Sequence, residues 1–142
     1  MRPVSSTLST TISAPSDKVF ALLTDITRMP QWLPGCRSVE LAGPLKKGAR
    51  LRVHFHSGRT TELEIVDFTP PTSLGWSDRE GRRGSQLYFQ LKFGGAATQL
   101  IMKEVWTPKG IGDWIRGSLL KRRRTNKTFA TAVNNLRKIV GA

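Results

Sequence analysis

The C-terminal stretch from Gly110 to Val140 is the feature that most constrains how this chain can fold. Residues in it recur at three- and four-residue steps, which places them on one side of a helix at roughly 100° per residue. The stripe consists of Ile111, Ile115, Ser118, Arg122, Asn126, Phe129, Val133, Leu136 and Val140. Its last four residues are apolar and are predicted to clamp the fold, whereas Arg122 and Asn126 make its middle polar. Gly117 is a position at which the helix could kink or begin. Such a helix needs a partner surface of matching character, which the upstream residues must supply.

Seven segments upstream of the helix have the character of β-strands. Short turn signals rich in Gly, Pro and Ser separate them, and most of them alternate apolar and polar side chains. The predicted strands are Val4–Ser13, Cys36–Leu41, Ala49–His56, Thr60–Phe68, Leu74–Asp78, Gln86–Phe93 and Thr98–Trp106. Consecutive strands joined by short turns indicate an antiparallel meander with one packed face and one face in water.

Two short helices are predicted between the first and second strands. Ser16 is the predicted N-cap of the first helix, which carries Val19 and Phe20 among its apolar residues. The segment Asp25–Pro34 contains two prolines, so it can form only a short second helix or a turn around Trp32. The chain is therefore predicted to be an α+β protein. A curved antiparallel sheet of about seven strands would wrap around the C-terminal helix, the only element long enough to cover its packed face.

Length and composition favour one domain over residues 1–142, with six Phe and four Trp to fill its core. The single cysteine, Cys36, excludes an intrachain disulfide and favours a reducing compartment. The N-terminal residues lack the apolar run of a secretory signal, and no segment approaches the roughly 18 apolar residues of a membrane span. A cytoplasmic location is therefore predicted.

The charge of the chain is strongly unbalanced, with 23 basic against 10 acidic residues and a net charge of +13. Residues 109–142 hold nine of the basic residues and one acidic residue, so +8 of the +13 lies there. Such asymmetry favours anionic partners such as nucleic acid or an anionic membrane. The predicted anionic-partner surface consists of Lys121, Arg123, Arg124 and Lys127, joined by Arg79, Arg82 and Arg83 of a charged loop. The alternative is a solvated, charged helix back without a partner.

Three passages of the chain resemble one known superfamily. They are ISAPSDKVFALLTDITRMPQWLP from Ile12 to Pro34, GARLRV with EIVDFTPPTSLGW, and GGAATQLIMKEVW followed by the long helix. These passages resemble the START-like (SRPBCC) superfamily, and within it the polyketide cyclase/dehydrase-like branch, from about Ser9 to Ile139. The resemblance implies the helix-grip fold. Members include cyclases, lipid and quinone carriers, hormone receptors and chaperone cofactors, so the resemblance predicts fold better than function. The KRRRTNK segment from Lys121 to Lys127 is more basic than the family generally needs.

The resemblance also implies a cavity between sheet and helix for a hydrophobic or aromatic small molecule. Pockets of this kind combine apolar walls with a few placed polar groups. The residues predicted to bind the ligand are Trp32, Phe55, Trp76, Asp78, Phe89, Met102, Glu104, Trp106, Arg122 and Asn126. Trp32 is predicted at the rim of the cavity. The alternative is that these side chains pack a solid core without a useful void.

Two carboxylates are predicted on the inward face of the sheet, because residues two apart on a strand share a face. Asp78 lies two residues after Trp76, and Glu104 lies two residues from both Met102 and Trp106. A buried carboxylate is costly unless it meets a cation, and Arg122 on the helix stripe is the predicted cation. The cluster could anchor a ligand carbonyl or phenol, or act as general acid and base. It could also be a structural ion pair, or a different register could leave Glu104 in solvent. Cyclisation or dehydration, as against carriage of a ligand, stays open, as does the oligomeric state.

Other chemistry finds little support in the sequence. His54 and His56 share the polar face of one predicted strand, but no Cys or third His lies close enough in sequence to complete a site. Cys36 has no nearby His, and Gly94-Gly95 lacks the Lys and Ser/Thr of a phosphate-binding loop. No metal and no cofactor are therefore predicted.

Overall fold

The computed structural model describes residues 4–78, 85–106 and 111–140. At residues 4, 93–94 and 111–125 it describes the backbone alone.

Seven strands of the described chain form one antiparallel sheet. They are β1 (Val4–Ile12), β2 (Cys36–Leu41), β3 (Arg50–Phe55), β4 (Thr60–Thr69), β5 (Ser73–Asp78), β6 (Gln86–Gly94) and β7 (Ala97–Trp106). Their spatial order is β1-β7-β6-β5-β4-β3-β2, so β2 to β7 form a meander and β1 pairs with the far edge of β7. The predicted meander is confirmed, and each strand boundary lies within one residue of its prediction.

Helices occupy the two places that the sequence predicts. Helix α1 (Ser16–Thr24) follows β1, and a 3₁₀ turn (Ile26–Arg28) leads into the one-turn helix α2 (Met29–Trp32). Helix α3 (Ile111–Val140) follows the sheet and is continuous through Gly117, so the helix does not begin at that glycine. The prediction of a curved sheet, two short helices and a long C-terminal helix is confirmed.

Ser16 has a different role from the one predicted. The N-cap residue of α1 is Pro15, which makes no side-chain capping bond. Ser16 is the first helical residue, and its buried hydroxyl lies 3.3 Å from Oγ1 of Thr98 on β7. The predicted N-cap is therefore wrong by one position, because the contact with β7 takes the hydroxyl that would otherwise cap the helix.

The hydrophobic core lies between the helices and one face of the sheet, called the inner face below. The second half of α3 buries Phe129, Ala132, Val133 and Leu136 there, while Val140 is half-buried against the core. The sheet contributes Leu51, Val53, Leu63, Ile65, Leu74, Trp76, Phe89, Leu91, Leu100 and Met102. Each fully buried side chain of this size stabilises the fold by roughly 1.5–3 kcal/mol. The end of α3 is thus held by apolar packing.

Candidate functional site

The inner face of the sheet contains a cavity of about 250 Å³, called the inner pocket below. Its wall comes from β3 to β7, from the turn between β3 and β4, and from residues just after α2 and just before β6. The lining residues are Leu33, Phe55, Arg59, Thr61, Leu63, Trp76, Asp78, Ser85, Leu87 and Glu104. Half of these side chains are apolar and half are polar, so the pocket has an amphipathic wall.

Strand register brings the wall residues together. Glu104 on β7 is paired with Leu87 on β6, and Leu87 is paired with Trp76 on β5. Two residues after Trp76 on β5, Asp78 is paired with Leu63 on β4. Because side chains directly opposite each other in an antiparallel pair lie on the same face, both carboxylates share the inner face with the apolar residues. The alternation along each strand therefore sets the composition of the pocket.

A chain of three aromatic rings, with Phe89 in the middle, extends from the pocket wall into the core. The Trp76 and Phe89 ring centroids are 5.3 Å apart at 61°, and those of Phe89 and Trp32 are 5.7 Å apart at 86°. Edge-to-face pairs of this kind add about 0.5–1.5 kcal/mol beyond burial alone. Trp32 is 0% exposed. It lies inside the core rather than at a rim, because α2 turns its ring inward against Phe89.

Three of the five polar lining side chains are half-buried and are called the polar wall below: Asp78, Ser85 and Glu104. The hydroxyl of Ser85 donates a hydrogen bond to Oε1 of Glu104 over 3.3 Å. Carboxylates only accept hydrogen bonds, and each offers about four lone-pair positions. The polar wall is therefore rich in acceptors.

Arg59 brings a cation to the edge of the pocket. It lies in the turn between β3 and β4, where its carbonyl oxygen accepts a 2.9 Å hydrogen bond from the backbone N–H of Phe55. Its guanidinium carbon is 5.0 Å from the centroid of the Phe55 ring. That separation is within the range of a cation–π contact. The turn thus folds an exposed arginine back over a wall residue.

Two buried polar atoms have no hydrogen-bond partner within the described part of the chain, the hydroxyl of Ser6 and the indole nitrogen of Trp32. Ser6 is 6% exposed and is paired with Glu104 across β1 and β7, so it lies beside the polar wall. An unpaired buried polar group costs roughly 1–3 kcal/mol, so each such atom calls for an explanation.

The residues predicted to bind the ligand fall into three groups. Phe55, Trp76, Asp78 and Glu104 line the inner pocket. Trp32, Phe89, Met102 and Trp106 are buried, and the first three of them belong to the core cluster. Asn126 is exposed, and the side chain of Arg122 lies outside the described residues. Of the nine predicted residues whose side chains the structure describes, the pocket therefore brings together four.

The predicted anionic-partner surface is described at one position. Lys127 is exposed on α3. The side chains of Lys121, Arg123 and Arg124, and residues 79–84 with their three arginines, lie outside what the structure describes.

Sequence reasoning did not select Leu33, Arg59, Thr61 or Ser85 as site residues. Thr61 shares the inner face with Leu63 on β4, so the alternation of that strand is a signal that could have found Thr61. Leu33, Arg59 and Ser85 lie in connections between elements, where no periodicity applies. Only the register of the finished sheet brings them to the pocket.

His54 and His56, for which no metal site is predicted, are not among the lining residues of the pocket. Nδ1 of His54 is 3.0 Å from Oγ1 of Thr60, and its Nε2 is 3.0 Å from Oε2 of Glu40. The hydrogen bond and the charge of His54 hold the pKa of the Glu40 carboxyl below its ordinary value of 4.5. His56 is exposed. Over the described ranges, His, Cys, Asp and Glu side chains form no group of three able to hold a metal ion.

Cys36 is buried at the start of β2, and burial raises the pKa of its thiol. A raised thiol pKa disfavours the thiolate, the nucleophilic form.

None of the helices of the described chain combines the length and the apolar character that crossing a membrane requires.

A second depression, of about 400 Å³, lies between α1 and the last turn of α3. It is lined by Lys18, Ala21, Leu22, Asp25, Arg28, Ile139 and Val140. Its described wall contains no aromatic side chain, and three of its seven residues are charged. Small-molecule sites are mostly apolar and often aromatic, so the inner pocket is the better candidate.

Comparison with solved structures gives the same fold in several bacterial proteins. XoxI from Bacillus cereus is 17% identical, with 96% of this chain and 94% of that chain covered and a TM-score of 0.74. The Zhui aromatase/cyclase from Streptomyces sp. R1128 is 16% identical, with 97% and 96% covered and a TM-score of 0.71. CalU16 from Micromonospora echinospora is 18% identical, with 98% and 83% covered and a TM-score of 0.70.

No curated protein matches the sequence. The family model described as "Polyketide cyclase / dehydrase and lipid transport" matches residues 3–141, almost the whole chain. The match agrees with the helix-grip fold and with the polyketide cyclase/dehydrase-like resemblance of the sequence. The chain belongs to the polyketide cyclase/dehydrase and lipid transport family.

Proposed function

We propose that the chain binds a hydrophobic or aromatic small molecule with one polar end, and that the inner pocket is the binding site. The observation that carries the proposal is the amphipathic wall of this cavity. Trp76, Leu63 and Leu87 supply one apolar surface, and Asp78, Ser85 and Glu104 supply a polar surface beside it. A ligand with an apolar body and one polar group would match both surfaces.

The size of the cavity supports a small ligand. Its volume of about 250 Å³ is slightly below the roughly 300–1,000 Å³ typical of sites for drug-sized molecules. A molecule with one or two rings suits such a space. The rings of Trp76 and Phe55 offer it stacking or edge contacts, which are favourable beyond the area that they bury.

The proposal is tested first by native mass spectrometry of the freshly purified protein, in which a bound molecule adds a discrete mass. The second readout is titration with the uncharged two-ring dye prodan, whose fluorescence rises in an apolar site. We expect saturable dye binding with one site per chain. A protein that carries no added mass and binds no dye would contradict the proposal.

A pair of matched tryptophan substitutions locates the binding site. Leu87→Trp places a larger side chain in the wall of the inner pocket and should abolish dye binding. Gln90→Trp makes the same kind of change at an exposed position of the same strand and should leave binding intact. Thermal unfolding of both variants shows whether each is folded. Equal dye affinity in folded Leu87→Trp and wild-type protein would exclude the inner pocket.

Cyclisation or dehydration is the finer version of the same proposal. Asp78 and Glu104 in one pocket are a candidate acid–base pair, and a pocket that holds a flexible chain in one conformation lowers the barrier to ring closure. The test measures the enolisation of a simple β-diketone, which is monitored as deuterium exchange at its central carbon. We expect catalysed exchange that is lost in the Asp78→Asn/Glu104→Gln double variant; exchange at the buffer rate would leave binding as the function.

An interaction module for an anionic partner is the alternative proposal, supported by the +8 charge of residues 109–142 and by exposed Lys127. Retention on RNA or anionic liposomes should then fall with salt, because released counterions drive such binding. Neutralising Arg123, Arg124 and Lys127 should abolish the retention. Unchanged retention in that triple variant would contradict this alternative.

A further inference from the structure

Arg59 is the one basic side chain among the described lining residues of the inner pocket. It is exposed, and the neighbouring Phe55 is half-buried, whereas Leu63 and Trp76 in the same wall are buried. The cavity therefore has an exposed edge, formed by Phe55 and Arg59, and a buried apolar interior. A guanidinium at this edge is hydrated as long as no ligand covers it.

The turn between β3 and β4 fixes the backbone of Arg59. The backbone N–H of Phe55 donates a 2.9 Å hydrogen bond to the carbonyl oxygen of Arg59, and the backbone N–H of Arg59 donates to Oγ of Ser57 over 3.4 Å. The backbone N–H of His56 donates a 2.9 Å hydrogen bond to the carbonyl oxygen of Gly35, which ties the turn to the loop before β2. The Arg59 side chain therefore starts from a fixed point at the edge of the pocket.

An aromatic ring, rather than a carboxylate, holds the Arg59 guanidinium. Its central carbon lies 5.0 Å from the centroid of the Phe55 ring, and no ion pair joins it to an acidic residue of the described ranges. Asp78 and Glu104 of the same pocket have other interactions. A cation–π contact neutralises no charge. Arg59 is thus a cation that is positioned at the cavity without an acidic partner among the described residues.

The chemistry of this group fits one kind of ligand atom. A guanidinium only donates hydrogen bonds, and its planar fork matches the two oxygens of a carboxylate. Hydrogen bonds between two charged groups are roughly twice as strong as neutral ones. Resting on the proposed binding function, we propose that Arg59 determines the specificity of the inner pocket by binding an oxyanion of the ligand, a carboxylate or a phenolate. The rings of that ligand then lie against Leu63 and Trp76.

The position of Arg59 decides between its attraction and the repulsion from the acids of the pocket. Asp78 is paired with Leu63, which follows Arg59 by four residues. At about 3.3 Å per residue, the two levels are about 13 Å apart along β4. Coulomb energy falls with distance, and water screens the longer interaction more strongly, so the adjacent guanidinium outweighs the more distant carboxylate.

Three naphthalene probes test the selection: 2-naphthoate, 2-acetonaphthone and 2-naphthylmethylamine. They present an anionic acceptor, a neutral acceptor and a cationic donor on the same two rings. Their affinities are measured at one pH and ionic strength by calorimetry and by displacement of prodan. We expect naphthoate to bind most tightly and the ketone next, with the amine weaker than naphthoate by roughly tenfold or more. An amine that binds as tightly as naphthoate would overturn the inference.

Arg59→Gln assigns the selection to one side chain. It should weaken naphthoate binding by roughly tenfold without weakening the binding of the amine, whereas a structural defect of the pocket would weaken all three probes. Arg52→Gln is the matched control, because Arg52 is exposed on β3 and is not among the lining residues of the pocket. If Arg52→Gln weakens naphthoate as much as Arg59→Gln does, the preference comes from overall charge and the inference fails.

The Nε–Hε signal of Arg59 in an NMR spectrum gives a direct readout of the contact. Its absence from the spectrum of Arg59→Gln assigns it. We expect the signal to shift with naphthoate, in step with the displacement of prodan, and to stay in place with the amine. A signal that does not move while naphthoate displaces the dye contradicts the inference.

The probes separate this inference from the proposed function. If prodan and all three probes fail to bind, the proposed function itself fails. If prodan binds and the amine displaces it as well as naphthoate does, the binding function stands and the role of Arg59 is wrong. The ranking of the probes on the wild-type protein needs no variant, so it decides the inference even if a substitution prevents folding.

Discussion

The hydroxyl of Thr98 on β7 donates a 2.7 Å hydrogen bond to the carbonyl oxygen of Ala14, 84 residues earlier in the chain. Since this bond uses the only hydroxyl proton of Thr98, the 3.3 Å contact between Ser16 and Thr98 must have Ser16 as its donor. Thr98 is 0% exposed, and Ser16 is also buried. The pair joins the start of α1 to the sheet through polar groups that have no access to water.

Thr98→Val should destabilise the fold by about 1–3 kcal/mol. It keeps the shape of the side chain but leaves two buried groups, the Ala14 carbonyl and the Ser16 hydroxyl, without this hydrogen-bond partner. Urea unfolding should show a lower midpoint with an unchanged m-value. Thr7→Val is the matched control at an exposed position of β1, and it should stay within about 0.5 kcal/mol of wild type. Equal midpoints for the two variants would mean that the Thr98 bonds contribute nothing.

Gly75 on β5 gives a second prediction, because the Tyr88 ring lies across it from β6. A Cβ at position 75 would stand 2.5 Å from Cδ1 of Tyr88 and 3.3 Å from Cβ of Asp67 on β4. Gly75→Ala should therefore destabilise the fold by about 1–3 kcal/mol through overpacking. The measurement is again the urea midpoint.

A double-mutant cycle tests the cause of the Gly75 effect. In a Tyr88→Ser background the added methyl group has room, so Gly75→Ala should cost less there than in the wild type. Ser77→Ala, two residues further along β5, is the control for a change on the same strand. An identical cost of Gly75→Ala in both backgrounds would place the strain elsewhere.

The pair His54–Glu40 predicts a local pH dependence. The His54 hydrogen bond, and then its charge, lower the pKa of the Glu40 carboxyl. A lowered carboxyl pKa stabilises the folded state above the ordinary pKa, and this contribution is lost as the pH falls through the lowered pKa. His54→Ala should move the pKa of Glu40 upward toward 4.5, measured by NMR titration of its carboxyl group.

His56→Ala is the control for the Glu40 titration, since His56 is exposed and lies outside the contact of His54 with Glu40. The part of the shift that comes from charge should shrink in roughly 1 M salt, where the Debye length falls to about 3 Å. A Glu40 titration that is the same with and without His54 would contradict the assigned cause.

The sequence predicts the strands of this molecule more completely than it predicts the candidate site. The strand boundaries follow to within one residue because alternation and turn residues are local signals. The same alternation places Trp76, Asp78 and Glu104 in the pocket wall. Arg59 and Ser85 escape prediction, because only the cross-strand register brings those two connecting residues to the cavity.

Tertiary contacts decide the positions at which prediction and structure differ. Trp32 follows two residues after Pro30 in a segment that looks like a surface turn, yet its ring is buried against Phe89. Ser16 has the residue type of an N-cap, yet Pro15 occupies that position and the hydroxyl of Ser16 contacts that of Thr98 instead. The single-domain organisation, the ligand contacts of Arg122 and the anionic-partner surface stay predictions.

The end of α3 supplies the last prediction, because its packing and its polar contacts both join it to the fold. Leu136 is fully buried, and the neighbouring Arg137 donates 2.8 Å hydrogen bonds to Oγ1 of Thr10 and to the carbonyl oxygen of Thr11 on the edge strand β1. Leu136→Ala should lower the free energy of unfolding by about 2–5 kcal/mol, through lost burial and the cavity left behind.

Asn134→Ala is the matched control for Leu136→Ala on the exposed side of the same helix, where a change within about 0.5 kcal/mol is expected. Native-state hydrogen exchange distinguishes a local effect from a global one. If α3 unfolds together with the sheet, Leu136→Ala should speed exchange in the amides of β7 as much as in those of 129–136. If only the amides of 129–136 respond, the end of the helix opens by itself, and its packing does not hold the sheet.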